Sequence, residues 1–262
     1  MVSSYFVVNS GRGVVCVMIH IYISIGLVVL TVVTIFIARK QGSKAGLYDL
    51  YVEASNLAEL TAGVPAFCSG IVSAVPGQPQ LVAPYSKQPC VWYSFILEQE
   101  QLHRDANGAE TTTWNIISNQ APQGTVFSLQ TGTSSIQVNP ASADIQKVQE
   151  YQAFVDPADT QGQSGFGAAV GNIANMLSSI GNSRLRVTEQ YIPIGQQLYV
   201  GGVALEQNGQ KTFMNDRSYP LVLTTRSKED LVKIDRRSSV VGYVIASVFA
   251  ITAIVIALAM KG

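Results

Sequence analysis

The sequence has few of the side chains on which most catalytic and metal sites depend. Its 262 residues include three cysteines and two histidines, and only 13% of them are charged. It contains no Cys-x-x-Cys pair and no Walker loop. Its carboxylates also lack the paired spacing that acid–base catalysis needs. We therefore predict no catalytic residues, no bound metal and no cofactor.

The charge is too evenly balanced for a nucleic-acid-binding protein. The chain has 17 basic and 17 acidic residues, which gives a formal net charge of zero. Nucleic-acid binding depends on a concentrated basic face that neutralises phosphates. We therefore expect no nucleic-acid partner.

The cysteines do not form a recognisable framework. Cys16 lies in an apolar run near the start of the chain. Cys68 and Cys90 lie in the central region, and their spacing does not match a zinc site. The sequence leaves two alternatives open for this pair: a disulfide in an oxidising compartment, or two small buried thiols.

Two long apolar runs without charge, 14–38 and 240–260, are the clearest feature that is present. Each is long enough to cross a bilayer, which takes roughly 20 residues in a helix. The first run exceeds the core of a signal peptide and is followed by Arg39 and Lys40 instead of a cleavage site. We predict two transmembrane helices that flank a central domain, so the lipid bilayer is an expected partner.

Basic residues beside these runs predict the orientation. On the side of the central domain, eight basic residues flank the runs: Arg39, Lys40, Lys44, Arg226, Lys228, Lys233, Arg236 and Arg237. Arg12 and Lys261 flank them on the other side. Because basic flanks resist translocation, we expect an integral membrane protein with a cytoplasmic central domain and both termini outside.

The region 46–235 is predicted to be a β-rich α+β domain. Apolar residues at helical spacing predict a helix over 46–60. About eight short apolar runs bounded by Pro, Gly and Asn then predict a small barrel or sandwich. We further predict a helical, Gly- and Ser-rich insertion at about 144–182, with one helix over 144–155 and an amphipathic helix over 170–180. The latter helix could cover the barrel, bind a partner or rest on the membrane.

Several segments together resemble one known family. In chain order they are Pro84-Tyr-Ser-Lys-Gln-Pro-Cys-Val-Trp-Tyr93, Phe127-Ser-Leu-Gln-Thr-Gly132, Val138-Asn-Pro-Ala141, Glu189-Gln-Tyr-Ile-Pro-Ile-Gly-Gln-Gln-Leu-Tyr-Val-Gly-Gly202 and Pro220-Leu-Val-Leu-Thr-Thr-Arg-Ser-Lys-Glu229. They resemble the GIDE domain, also called the BAM ("beside a membrane") domain. That domain lies between two membrane helices in a mitochondrial E3 ubiquitin ligase and in many bacterial and archaeal proteins. The resemblance covers roughly 57–233 and implies a short, prokaryotic-type member.

The resemblance also suggests where an interaction site lies. Its motifs supply eight residues of interest: Pro84, Ser86, Pro89, Cys90, Tyr93, Gly195, Tyr199 and Gly201. The default interpretation of these residues is structural, since Pro and Gly fix turns and the tyrosines suit a half-buried barrel. The sharper interpretation is that the loop 84–90 is a recognition surface, because loops on a rigid scaffold often bind partners.

Three functions follow from these patterns. The first is a membrane-tethered scaffold that binds a protein partner at the membrane face. The second is an E3 ubiquitin ligase-like or envelope-stress enzyme component. A RING needs about eight Cys and His ligands, however, and this sequence has five such residues. The third is a homo-oligomer that packs through Gly242, Ala246 and Ala250, which recur every four residues.

Overall fold

The computed structural model describes residues 10–105, 107–155, 184–207 and 209–259. The chain divides into two compact units. One is the β-rich unit, Tyr51–Ser227, and the other is the helical unit, Met1–Leu50 together with Lys228–Gly262. The amphipathic helix predicted over 170–180 lies outside the described residues.

The helical unit contains two long helices, α1 (Ser10–Leu50) and α2 (Lys228–Ala259). By length and composition, Ile25–Leu50 and Lys228–Ile256 are each able to cross a membrane. The helices pack against each other through small residues. The Ser239 hydroxyl donates to the Ala38 carbonyl at 3.0 Å, and a Cβ atom added to Gly242 would lie 2.8 Å from Ala38 Cβ. Such small residues let two helix backbones approach closely.

The other faces of this helix pair are apolar and exposed. On α1 the exposed large apolar side chains are Ile25, Val28, Val29, Leu30, Val32, Val33, Phe36 and Ile37. On α2 they are Val240, Val241, Tyr243, Val244, Ile245, Val248, Ile251, Ile254 and Val255. An apolar surface this extensive is rarely left facing water.

The described part of the β-rich unit contains thirteen strands and one 3₁₀ turn at Leu57–Glu59. The strands are β1 Val52–Glu53, β2 Pro65–Ala74, β3 Leu81–Val82, β4 Pro89–Arg104, β5 Glu110–Gly124, β6 Phe127–Thr131, β7 Ser134–Val138, β8 Asp144–Gln146, β9 Gln149–Val155, β10 Leu185–Pro193, β11 Gln197–Gln207, β12 Gln210–Met214 and β13 Val222–Thr224. Gly108, Gly132 and Gly209, all with positive φ, lie in the hairpin turns that join β4 to β5, β6 to β7 and β11 to β12.

Five strands close into a small barrel in the order β2-β6-β7-β12-β11, and β11 pairs with β2 to complete the ring. Only the β7–β12 pairing in this ring is parallel. Alternate side chains on these strands point inward and are fully buried, including Phe127, Leu129, Leu198, Val200 and Phe213. Closure leaves the ring without a free edge.

The second sheet is antiparallel, in the order β3-β4-β10-β9, and β5 also pairs with β4. Its central strand β10 alternates in burial from Leu185 to Tyr191. Leu185, Val187, Glu189 and Tyr191 are buried, while Arg186, Thr188 and Gln190 are half-buried. The sheet therefore has an inner face and an open face. The side chains of Trp92 and Ile192, which belong to this sheet, pack in the barrel core.

The helix predicted over 144–155 is wrong, since these residues form strands β8 and β9. Their Gln, Glu and Ala content favours a helix locally. Pairing of β9 with β10 over seven residues overrides that preference. Lys147, with φ of 51°, turns the chain between the two strands.

The helix predicted over 46–60 is only partly correct. It is the end of α1 as far as Leu50, after which the chain becomes extended. Two hydrogen bonds account for the change from helix to extended chain after Leu50. The Ala54 N–H donates to the Phe67 carbonyl, and the Tyr51 hydroxyl donates to the Pro220 carbonyl. The strand number was underestimated because strands of two or three residues have no recognisable period.

The close approach of β2 and β6 leads to a test of the barrel. A Cβ atom on Gly70 would lie 2.6 Å from the backbone oxygen of Gln130, which cannot rotate away. Gly70→Ala should therefore lower the free energy of unfolding by about 1–3 kcal/mol. The measurement is urea unfolding of the detergent-solubilised chain, followed by the fluorescence of its two tryptophans. Ser73→Ala, on the same strand, is the matched control. Equal stability of the two variants would contradict the tight β2–β6 contact.

Candidate functional site

A buried carboxylate lies at the centre of the inner face of the second sheet. Glu189 on β10 has no exposed surface and stands opposite Phe95 on β4 and Tyr151 on β9. Its Oε1 accepts a hydrogen bond from the Tyr85 N–H at 2.8 Å, and its Oε2 accepts one from the Ser86 N–H at 2.8 Å. Both carboxylate oxygens are thus bonded to the backbone of one turn.

The turn over residues 83–88 is organised to present these two amides. Ala83 N–H donates to the Gln88 carbonyl at 2.9 Å, and Lys87 N–H donates to the Ala83 carbonyl at 3.0 Å. Pro84 has no N–H of its own and fixes its φ, which suits the start of a turn. Lys87 adopts a φ of 57° and its Nζ donates to the Pro84 carbonyl at 2.6 Å. The turn exposes Lys87 and Gln88, while Pro84 is buried.

Burial controls the protonation of the groups around Glu189. Burial, together with the negative charge of Glu189, raises the pKa of Cys90 to about 12. Burial raises the pKa of Tyr85, with further contributions from Tyr151 and Glu189. Burial also raises the pKa of Tyr93. These groups keep their protons at neutral pH, so the Cys90 thiol is a poor nucleophile.

Five of the eight residues identified from the motifs lie on or beside this turn. Pro84 and Ser86 belong to it, and Pro89 begins the following strand β4. Cys90 is buried and packs in a small apolar cluster with Ala83 and Tyr191, against which Tyr93 is half-buried. Gly195, with φ of 87°, turns the chain from β10 into β11.

The remaining two, Tyr199 and Gly201, belong to an aromatic cluster on the barrel. The Tyr199 ring stacks on Phe67 with centroids 6.0 Å apart, and Phe67 contacts Tyr51 at 6.5 Å. A Cβ atom on Gly201 would lie 2.7 Å from the Phe67 ring. Gly201 is therefore needed for close packing, and this pair of motif residues has a clear structural role.

The open face of the second sheet carries a set of mutually packed aromatic and arginine side chains. Arg186 forms a two-point ion pair with Glu98, with nitrogen–oxygen distances of 2.7 and 2.9 Å, and it also lies 4.5 Å from the Trp114 ring centroid. Trp114 contacts Phe154 at 5.6 Å, and Arg184 lies 4.8 Å from the Phe154 centroid. The bond to Glu98 raises the pKa of Arg186. Phe154 is 55% exposed, so this set is accessible.

A groove of about 520 Å³ lies beside this open face. Trp92, Ser94 and Gln190 contribute to it from the sheet, and residues 122–124 and 140–143 and Ile145 complete it. No charged side chain lines it. Among the described residues, no group of three or more His, Cys, Asp or Glu could hold a metal ion.

A family model described as "GIDE: E3 Ubiquitin ligase" matches residues 98–258, which is more than half of the chain. The chain belongs to the GIDE family. No curated protein and no solved structure matches it. The GIDE match begins within β4 and runs to the end of the apolar part of α2, so it includes Glu189 and the open face. The turn at 83–88 precedes the matched residues.

The residues predicted to pack helices lie on α2 of this GIDE protein. Gly242 contacts Ala38 of α1 in the same chain, Ala246 is buried, and Ala250 is half-buried. The homo-oligomer that their spacing suggests stays a prediction.

Sequence reasoning missed Glu189 and the open face as candidate site residues. Glu189 had a usable signal, because it interrupts the inward-facing apolar series of Leu185, Val187 and Tyr191. The open face had none. Its members come from strands β4, β5, β9 and β10, and their contacts depend on a register that no local pattern specifies.

The two bonds to Glu189 lead to a prediction about stability. In Glu189→Gln, an amide NH₂ group would face one of the two backbone N–H donors, so one hydrogen bond to a charged acceptor is lost and a donor is left unpaired. We expect the free energy of unfolding to fall by about 2–3 kcal/mol. Urea unfolding measures this. Glu150→Gln is the control, because Glu150 accepts from Gln190 on the open face. A loss in Glu189→Gln no larger than in the control would contradict the assigned bonds.

The buried thiols lead to a prediction about pH. Cys68 and Cys90 are free, and burial raises the pKa of each from 9.0 to about 12. Above pH 9 the unfolded chain loses these protons while the folded chain keeps them. Stability should thus be full below pH 9 and fall towards pH 12, by up to about 1.4 kcal/mol per pH unit for each thiol.

Unfolding free energies measured between pH 8 and pH 11 test this effect. The double variant Cys68→Ala, Cys90→Ala should show a shallower decline with pH, whereas Cys16→Ala should retain the original slope. Parallel slopes in all three proteins would show that the two thiols are not responsible.

Proposed function

We propose that this GIDE protein is a membrane-tethered, β-rich scaffold that binds a protein partner at the membrane face. The proposal has two parts, anchoring and recognition. Anchoring is supported by two helices that pack through small residues and leave large apolar side chains exposed around them.

The flanking charge suggests how the protein is oriented. Of the described basic residues beside the apolar runs, Arg39, Lys40, Lys233, Arg236 and Arg237 are exposed on the side nearest the β-rich unit in the chain. This supports a cytoplasmic β-rich unit with both termini outside. One-sided labelling of a Ser73→Cys reporter with an impermeant thiol reagent in intact cells tests the orientation.

The turn at 83–88 carries the recognition part. A buried charge is costly, and here Glu189 is used to fix a turn whose Lys87 and Gln88 remain exposed. A surface turn held in one conformation loses little entropy on binding, which favours affinity. Lys87 with its positive φ indicates a backbone that the surrounding bonds hold in place.

Site-specific photocrosslinking in native membranes tests the scaffold. A benzoyl-phenylalanine at Gln88 should form an adduct with a partner protein, and Glu189→Gln should abolish that adduct because the turn is released. Gln130, an exposed glutamine on barrel strand β6, is the control position and should give none. Gln152 probes the open face. Adducts from Gln152 but not from Gln88 would assign the binding surface to the open face. Adducts only with other copies of this chain would contradict a scaffold for another protein.

The description of the GIDE family supports a second candidate, an E3 ubiquitin ligase component. The residues of this chain do not fit a RING, which takes about eight Cys and His ligands for two zinc ions, whereas the sequence has three cysteines and two histidines. Two of those cysteines are the buried, protonated Cys68 and Cys90. We expect the purified chain to transfer no ubiquitin in a reaction with activating and conjugating enzymes. Transfer, or zinc bound in stoichiometric amount, would overturn this expectation.

A further inference from the structure

A groove of about 700 Å³ runs along one face of α2 in the helical unit. Asp49 of α1 borders it, and α2 contributes the rest of its lining: Lys228, Glu229, Val232, Lys233, Arg236, Arg237 and Val240. On α2 these positions are three or four residues apart, or adjacent to such positions, so they share one side of the helix. The volume is within the usual range of ligand sites.

The groove carries an excess of positive charge, and an ion pair fixes one of its basic side chains. Four basic and two acidic side chains line it, which leaves an excess of two positive charges. Arg236 is paired with Asp49 at 2.6 Å, and this bond connects the two helices across the groove. Lys233 and Arg237 lie one turn apart and are exposed. An anion in the groove would therefore meet several cations at once.

The groove continues directly into an apolar surface. Val240, at its end, is 61% exposed, and Val244, one turn further along the same face, is 58% exposed. A free phosphate would use only the charged part. A molecule with an anionic group joined to hydrocarbon chains would use both parts. The order of the surfaces, basic and then apolar, matches a lipid at the boundary between water and bilayer.

We infer that this groove binds the headgroup phosphate of an anionic glycerophospholipid. Lys233 and Arg237 contact the phosphate, the Asp49–Arg236 pair closes one side, and the acyl chains follow Val240 and Val244. The inference rests on the membrane anchoring proposed above.

Native mass spectrometry of the full chain in a neutral detergent tests the site, with phosphatidylglycerol and phosphatidylcholine as probes. The first phosphatidylglycerol should bind more tightly than phosphatidylcholine. Lys233→Gln with Arg237→Gln should weaken phosphatidylglycerol binding by about fivefold for each charge removed. Phosphatidylcholine has the same phosphate, but its choline cation offsets that charge, so its binding should weaken less. Asp49→Asn should strengthen phosphatidylglycerol binding, because it removes a negative charge from the groove.

Arg39→Gln with Lys40→Gln is the matched control. It removes the same amount of charge from α1, and neither Arg39 nor Lys40 lines the groove. The two residues lie at a similar height along the helix pair, because the adjacent Ala38 packs on Ser239 and Gly242 of α2. This control should change phosphatidylglycerol affinity less than twofold. Equal losses in the two double variants would mean that the general surface charge attracts the lipid, and would overturn a defined site.

Two further arms separate the remaining outcomes. Inorganic phosphate alone should give no saturable binding by calorimetry; saturable binding that needs Lys233 and Arg237 would reassign the groove to a soluble anion. Alkaline carbonate extraction of native membranes tests the anchoring itself. Release of the chain would contradict the proposed function, whereas retention without any preference for phosphatidylglycerol would overturn this inference alone.

Discussion

Glu189 places a carboxylate inside a sheet whose neighbouring inward side chains are apolar. An isolated buried charge is strongly unfavourable, and it is tolerated only where hydrogen bonds replace the lost water. The replacement here is the backbone of one turn, which presents the Tyr85 and Ser86 amides together. The geometry of the turn and the presence of the carboxylate therefore depend on each other. The fixed exposure of Lys87 follows from the same interaction. The raised pKa of Cys90 has a different main cause, which is burial, and the charge of Glu189 adds to it.

The barrel and the second sheet have different roles in this arrangement. The barrel closes on itself, and its motif residues Tyr199 and Gly201 serve the packing of an aromatic cluster around Phe67. The second sheet remains open on one face, where Trp114 contacts both Phe154 and Arg186. Tryptophan, tyrosine and arginine are the residues that most often dominate protein interfaces. The sheet thus has two distinct surfaces, the turn on its inner side and the aromatic–arginine set on its open side.

The sequence was informative where a physical rule acts over a short stretch. Two long apolar runs predicted α1 and α2, and short apolar runs bounded by Pro, Gly and Asn predicted a β-rich unit. It failed where partners distant in the chain decide the structure. Residues 144–155 have the composition of a helix, and pairing with β10 makes β9 a strand. The contact between Glu189 and Tyr85 spans 104 residues, so neither residue reveals the other. The open face depends in the same way on the register of four strands.

The chain belongs to the GIDE family, but its activity must be established on its own residues. The central claim is that Glu189 holds the turn at 83–88 in one conformation while the turn remains at the surface. Hydrogen–deuterium exchange of the Tyr85 and Ser86 amides in the intact, detergent-solubilised protein measures this most directly. We predict that these two amides are as protected from exchange as the buried amides of β10. Their exchange would then require unfolding of the sheet. Exchange as rapid as that of an open surface loop would contradict it.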